Sequence, residues 1–329
     1  MNKSLILKVL LNSVVGLVLI IIWSRFVDLN DISSKIWSIN PNYIAIFFGL
    51  FILSGLLRAL RFKMLLSEFQ IPLKDLSMLH YLCQLLSFMI PIRVGEITKS
   101  IYLNSIYNLP LGKSLVWVFI DRFVDFWTVL LMIGLLLPAV LGSNSQIGFS
   151  VYIILAAFTL VSYIVIKNAK FTQKMVIFLS RFLVFSNIKR AFLSVCTTII
   201  EGFEILNVGG PKLLLIILIT VAAYSLDGLA WYFLLSFLSS PLSLSSSILG
   251  NLLLALTFII PSAPGYVGST EAAGLAVFSG LLSVDPKIAS AATVFYHILI
   301  IVSVLIFGIV SLYFLKFDLN SVWKKLKRE

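Results

Sequence analysis

Charge is what this chain has least of. Only 12% of its 329 residues are Asp, Glu, Lys or Arg and 60% are hydrophobic, whereas a soluble domain is about 25% charged. A solvated globular fold is excluded on that ground. Cysteine is scarcer still: Cys83 and Cys196 lie far apart, with no CxxC or CxxxH spacing. That excludes a disulfide framework and a zinc site of ordinary spacing, and leaves both as small apolar fillers. No HExxH, Walker or dinucleotide pattern occurs, and no nucleophile, base and orienting group fall together. Neither a metal nor a cofactor is expected, and nothing calls positively for an enzyme.

What is abundant is long apolar sequence. Runs at 5–26, 43–66, 114–138, 148–166, 212–237 and 288–315 each meet the length needed to cross the hydrocarbon, about 20 helical residues. The first follows Lys3 and Lys8, lacks a small-residue cleavage site after Ile22, and reads as a retained signal anchor. Clustered basic charge would suit nucleic acid, but the net +11 here is distributed by side of the membrane. With the N-terminus inside, only Arg25, Lys35 and Lys287 of the 25 Lys and Arg fall outside or near that surface. This is the positive-inside bias, so no nucleic-acid partner is expected. Both termini are predicted to be cytoplasmic, in the cytoplasmic membrane of a prokaryote. The tail KKLKRE and the basic stretch 167–206 then orient the chain and can touch anionic lipid, the latter as an interfacial helix.

Two apolar stretches, 77–106 and 244–282, are broken in the middle, by FMIPIRVGEITKS (88–100) and FIIPSAPGYVGSTEA (258–272). The first starts in the cytoplasm after Lys63 and is cytoplasmic again by Lys113, which one crossing cannot achieve. Its arms, 77–90 and 96–106, amount to about 21 and 16 Å of helix against a core of about 30 Å. The same accounting applied to 244–282 starts and ends outside. The expected fold is therefore an all-α polytopic membrane protein with six full spans and two oppositely oriented re-entrant helical hairpins, forming an inverted repeat. Its divisions are an anchor span with an outer loop (1–42), a first repeat (43–138), a fourth span with the basic segment (139–211), a second repeat (212–315) and a basic tail (316–329). Eight full crossings, with Pro and Gly only kinking two spans, remain the alternative.

Ionisable residues inside the membrane cost about 2.5–3.5 kcal/mol on insertion scales, so each needs a partner or a task. Arg58 and Arg61 share a helix face at i, i+3, and Asp121 and Asp125 share one at i, i+4. Two aspartates on one face repel unless a cation lies between them. Either arginine fills that place, or at least one of them grips a ligand phosphate bidentately. Arg93, at the first hairpin tip beside a helix start near Glu96, makes an anion site with the free N–H groups there. Glu96 is open to three roles: an N-terminal cap, a partner for Arg93, or a proton-coupling carboxylate. In the second half, Asp227 and His297 each lie ten residues from the outer end of a span, about 15 Å deep. They sit level with Glu271 and are expected to approach it, either as a plain Asp227–His297 pair or as a protonation switch. His80 is expected near the interface in a structural role. Pro261 and Pro264 end a helix, Gly265 and Gly268 permit positive φ, and Ser269 or Thr270 caps the next helix.

PIRVGE (91–96) and PSAPGYVGSTE (261–271), with RALR (58–61) before and DRFVD (121–125) between, resemble the flippase-like transmembrane family of lysylphosphatidylglycerol synthases over roughly 43–315. The resemblance implies that fold and a lipid-handling role. In two-domain members the membrane half is associated with carrying an aminoacylated phospholipid to the outer leaflet, and a soluble half makes that lipid. The chain stops soon after the last span, so the synthase domain is expected to be absent and no lysyl transfer is assigned.

Function is therefore expected to be translocation of a phospholipid or lipid-linked anionic substrate. Arg58, Arg61, Arg93, Glu96, Asp121, Asp125, Pro261, Pro264, Gly265, Gly268 and Glu271 would bind it, and Glu96, Asp227, Glu271 and His297 would gate or couple protons. A separate lipid-synthesising enzyme and a homo-oligomer are compatible partners. A membrane-embedded transferase acting on lipid, an ion or small-solute transporter, and a non-transporting partner subunit are the competing classes.

Overall fold

The computed structural model describes residues 39–89, 94–142, 146–182, 189–190, 192–193, 196–197, 200, 202, 210–257 and 263–316. Its regular elements are helical throughout. Helix α1 (Asn42–Leu65) is followed by α2 (Leu73–Met89), α3 (Val94–Tyr107), α4 (Leu111–Leu141), α5 (Gln146–Lys167) and α6 (Ala169–Ser180). After them come α7 (Gly210–Phe237), α8 (Leu244–Thr257), a 3-10 turn (Pro264–Tyr266), α9 (Ser269–Gly274) running into a π-helical turn (Leu275–Leu281), and α10 (Pro286–Phe314). Among the described residues α1, α4, α7 and α10 are long and apolar enough to cross a membrane. Of the two other expected spans, 148–166 falls on the 22-residue α5, and 5–26 lies outside the described residues.

Local chemistry explains most boundaries. Asp285 accepts from the N–H groups of Lys287 and Ile288 at 2.9 and 3.3 Å, and Pro286 opens α10 with no donor to orphan. Pro110 precedes α4, and Pro211 lies in the first turn of α7, where a missing N–H is harmless. Gly265 (φ 71°) and Gly268 (φ 83°) take the left-handed backbone at the second break. The expected cap there is corrected. Gly268 is the N-cap residue of α9 and Glu271 reaches back to accept its N–H at 2.7 Å, while Ser269 Oγ instead donates to the Tyr266 carbonyl.

The middle elements are short. Helix α2 rises about 26 Å, and α3 and α8 about 21 Å each, and the chain reverses within each pair. Tyr107 Oη at the end of α3 donates to the Asp75 carboxylate at the start of α2. Nearer the reversal, Gly95 touches α2 so closely that a Cβ there would overlap the Cys83 carbonyl oxygen. In the second half Gly250 of α8 lies against Phe278 and Leu282, at the far end of the returning segment. Both pairs are antiparallel helical hairpins.

Packing between the halves is reciprocal. Helix α1 lies against α7, antiparallel, as Tyr43 meets Phe237, Arg58 meets Asp227, and Ser67 meets Lys212. Hairpin helix α2 packs on α10, and hairpin helix α8 packs on α4. Exchanging α1 with α7, α2 with α8, α3 with α9 and α4 with α10 maps these contacts onto one another.

Two apolar cores result. One joins Ala59, Leu82, Leu103, Ile120 and Ile216; the other joins Phe47, Val129, Trp231, Leu249 and Leu299. Between them on α1, α4 and α7 lies a polar layer: Ser54, Arg58 and Arg61; Asp121, Asp125 and Thr128; Thr220 and Asp227. In α4 and α7 the polar residues interrupt an apolar span, and in α1 they fall in its second half.

Candidate functional site

Arg61 occupies the space between the two aspartates. It is fully buried, its Nη2 is 2.7 Å from Asp121 Oδ1, another edge meets Asp125, and Nη1 donates to Thr220 Oγ1 at 3.3 Å. The side chains of Arg61 and Asp121 are both only 1% exposed. A carboxylate at each side of one guanidinium removes the like-charge repulsion that the i, i+4 spacing creates. Arg61 thus fastens α1 to α4 and does not stand on the wall of any open space.

Arg58, one turn earlier, faces elsewhere. Its Nη2 donates to Asp227 Oδ2 at 2.6 Å, Ser54 Oγ donates to Asp227 Oδ1 at 2.6 Å, and Arg58 Nη1 meets Ser54. The guanidinium carbon lies 4.9 Å from the centre of the Tyr224 ring. The two side chains stay 14% and 23% exposed, and both line a cavity of about 690 Å³ bordered by α1, α2, α3, α4, α7, α8, α9 and α10.

A second charged group closes another side of this cavity. Lys99 Nζ is 3.3 Å from Glu96 and 3.5 Å from Asp121, and Arg122 reaches Glu96 at 3.5 Å, Asp121 at 2.8 Å and Asp125 at 2.9 Å. Glu96 sits in the first turn of α3 and is a partner of these two cations. Sequence reasoning passed over Lys99 and Arg122, although the i, i+3 step from Glu96 to Lys99 and the Arg122 inside DRFVD were available signals. Nothing in the sequence marked Ser54, Tyr224, Trp231 or Tyr296 as wall residues.

The expected cluster of Asp227, His297 and Glu271 forms only in part. His297 Nδ1 faces Glu271 Oε1 at 2.6 Å, and Nε2 donates to the Gly265 carbonyl at 2.8 Å. Because a carbonyl only accepts, the Nε2 hydrogen is fixed and a second proton lies between Nδ1 and the carboxylate. Asp227 does not join them: α7 runs beside α1, so its carboxylate is taken by Arg58 and Ser54. Equal depth placed the three groups on one level, and helix rotation separated them.

The two breaks meet here. Phe88, at the end of α2, packs on Gly265, with its ring centre 6.1 Å from Tyr266 and 6.3 Å from His297. His80 is also corrected: α2 begins at Leu73, so His80 lies two turns in, 8% exposed on the cavity wall, and its Nε2 has no hydrogen-bond partner among the described residues. Pro264 opens the 3-10 turn at the second tip. Arg93 and Pro261, both expected in the site, lie outside the described residues.

A pocket of 300–1,000 Å³ is the usual size for a drug-sized ligand. The cavity of about 690 Å³ falls within that range. No curated protein and no solved structure matches the chain significantly. A family model described as Lysylphosphatidylglycerol synthase TM region matches residues 6–308, extending the 43–315 resemblance toward the N-terminus. With four apolar helices of spanning length, this multi-pass membrane protein belongs to the lysylphosphatidylglycerol synthase transmembrane-region family.

Proposed function

We propose that the chain moves a phosphate-bearing lipid between the leaflets, with the head group passing through the cavity while the tails stay in the bilayer. The observation that carries this is the charged cavity at mid-height, where the ends of two helical hairpins meet at Phe88 and Gly265. Hairpins of about 21–26 Å do not span a core of about 30 Å, so both are read as re-entrant, one from each side. The reciprocal packing of α1–α4 and α7–α10 supports an inverted repeat, in which each half gates one face of a shared site. Non-helical backbone at such depth is tolerated where it lines a wet, protein-walled space.

In this scheme Arg58 and Arg93 receive the phosphate. Arg61, Asp121 and Asp125 hold the frame. Glu96, Asp227 and the His297–Glu271 pair move between partners as the gates alternate, and the proton shared by His297 and Glu271 couples transfer to pH. Both termini face the cytoplasm, and a separate enzyme supplies the lipid.

The test is leaflet transfer of a chain-labelled phospholipid by purified protein in sealed vesicles, read by chemical quenching of the outer leaflet. Transfer above that of protein-free vesicles is expected, and Arg93→Ala should abolish it without loss of folded protein. A changed lipid mass after incubation would instead indicate a transferase, and uptake of a water-soluble solute a different transporter.

A further inference from the structure

We propose that the Arg58–Asp227 pair is a split receptor for a zwitterionic phospholipid head group, with the phosphate on Arg58 and a primary ammonium on Asp227. This rests on the lipid-translocase reading and narrows its substrate class. The starting point is charge balance. Among the described residues the cavity wall carries three cations, Arg58, Lys99 and Arg122, and three carboxylates, Glu96, Asp125 and Asp227, and every one of those cations already touches a carboxylate. A purely anionic head group that takes Arg58 from Asp227 leaves a carboxylate uncompensated in a poorly solvated space, which is costly. A head group that brings its own cation replaces both partners at once.

The same accounting selects the pair. Lys99 contacts two carboxylates and Arg122 three, so opening that network breaks several contacts together. Arg58 has one carboxylate partner and Asp227 one cationic partner among the described residues. It is the pair most easily opened, and it joins the two halves of the molecule through α1 and α7.

Chemistry at each end fits. Of the five N–H donors on a guanidinium, the described contacts of Arg58 use two, leaving an edge for phosphate oxygens. Asp227, once released, is an acceptor for an ammonium. Trp231, one turn further along α7, is enclosed between Phe278 at 4.3 Å and Tyr296 at 4.2 Å, which gives the Asp227 side of the cavity a firm apolar wall. A phosphate and an ammonium a few bonds apart, as in an ethanolamine head group, match adjacent sites of opposite sign.

The experiment is native mass spectrometry of the purified full chain in mild detergent with four lipids of identical chains: phosphatidylethanolamine, phosphatidylglycerol, phosphatidic acid and diacylglycerol. Phosphatidylethanolamine should be retained at least about tenfold more tightly than phosphatidylglycerol or phosphatidic acid. Asp227→Asn should invert that order by freeing Arg58 for anions, Asp227→Glu should keep it, and Arg58→Gln should weaken all three phospholipids toward diacylglycerol. Tighter retention of phosphatidylglycerol or phosphatidic acid by the unmodified protein would overturn the proposal even if no variant folds, as would an order unchanged in a folded Asp227→Asn. If one of the anionic lipids binds best and is moved between leaflets, only the head-group class falls. If none of the four binds or moves, the translocase reading falls with it.

Discussion

Arg58 and Arg61 are three residues apart on one face of one helix, and the fold uses them in opposite ways. Arg61 is enclosed by Asp121, Asp125 and Thr220 with 1% of its side chain exposed; Arg58 has Asp227 and Ser54 and keeps 14%. Residue type, helix and spacing are shared. What separates them is how many carboxylates arrive from neighbouring helices. Two from α4 close around Arg61, whereas one from α7 leaves Arg58 on the cavity wall, where the proposed ligand would replace that carboxylate. A charged group inside a membrane protein is thus structural or functional according to whether its compensation is complete.

The strongest way to break this contrast is to remove Arg61. Arg61→Leu takes the fully buried cation from between Asp121 and Asp125, leaving them only Arg122 and Lys99, and should destabilise the protein by about 3–5 kcal/mol, seen as loss of folded protein in detergent. Replacing Arg61, Asp121 and Asp125 together with apolar residues should restore part of the yield, because Lys99 and Arg122 still keep Glu96 as a partner; failure to recover would mean that the cluster does more than clamp α1 to α4.

Next in size is the hairpin that positions the second charged group. Gly95→Val drives a side chain into the Cys83 carbonyl and should cost about 1–3 kcal/mol by overpacking, detectable as a lower unfolding temperature. Unchanged stability would mean that α2 and α3 separate readily. Arg58→Gln should cost less, about 1–2 kcal/mol, between the exposed-pair and buried-pair limits, while stopping transfer. At the small end, Asp285→Ala removes only the cap of α10 and should lower stability by about 1 kcal/mol, with transfer by the folded protein retained. That variant sets the baseline for a stability loss remote from the charged layer.

Much of this arrangement was legible in the sequence, along one coordinate. Pro, Gly and charge inside apolar runs marked both breaks, and the rise per residue placed Asp121, Asp227 and His297 well inside the membrane, with Arg58 in the inner half of its span. The spacing of Asp121 and Asp125 demanded a cation between them. Rotation about the helix axis was not legible. Depth aligned Asp227 with His297, but α7 turns Asp227 toward Arg58, and His297 finds Glu271 and the Gly265 carbonyl instead. Which arginine would satisfy the aspartates depended on how α1 meets α4, a contact between segments 60 residues apart. The aromatic wall of Trp231 and Tyr296 carried no signal, because aromatics at helical spacing look alike whether they face a core or a cavity.

The most direct measurement compares Arg58→Gln with the unmodified protein in one vesicle preparation, with transfer normalised to folded protein. The variant should fold and insert, unfold only slightly earlier, and move lipid no faster than protein-free vesicles. Transfer at the unmodified rate by a folded Arg58→Gln protein would contradict the role assigned to Arg58.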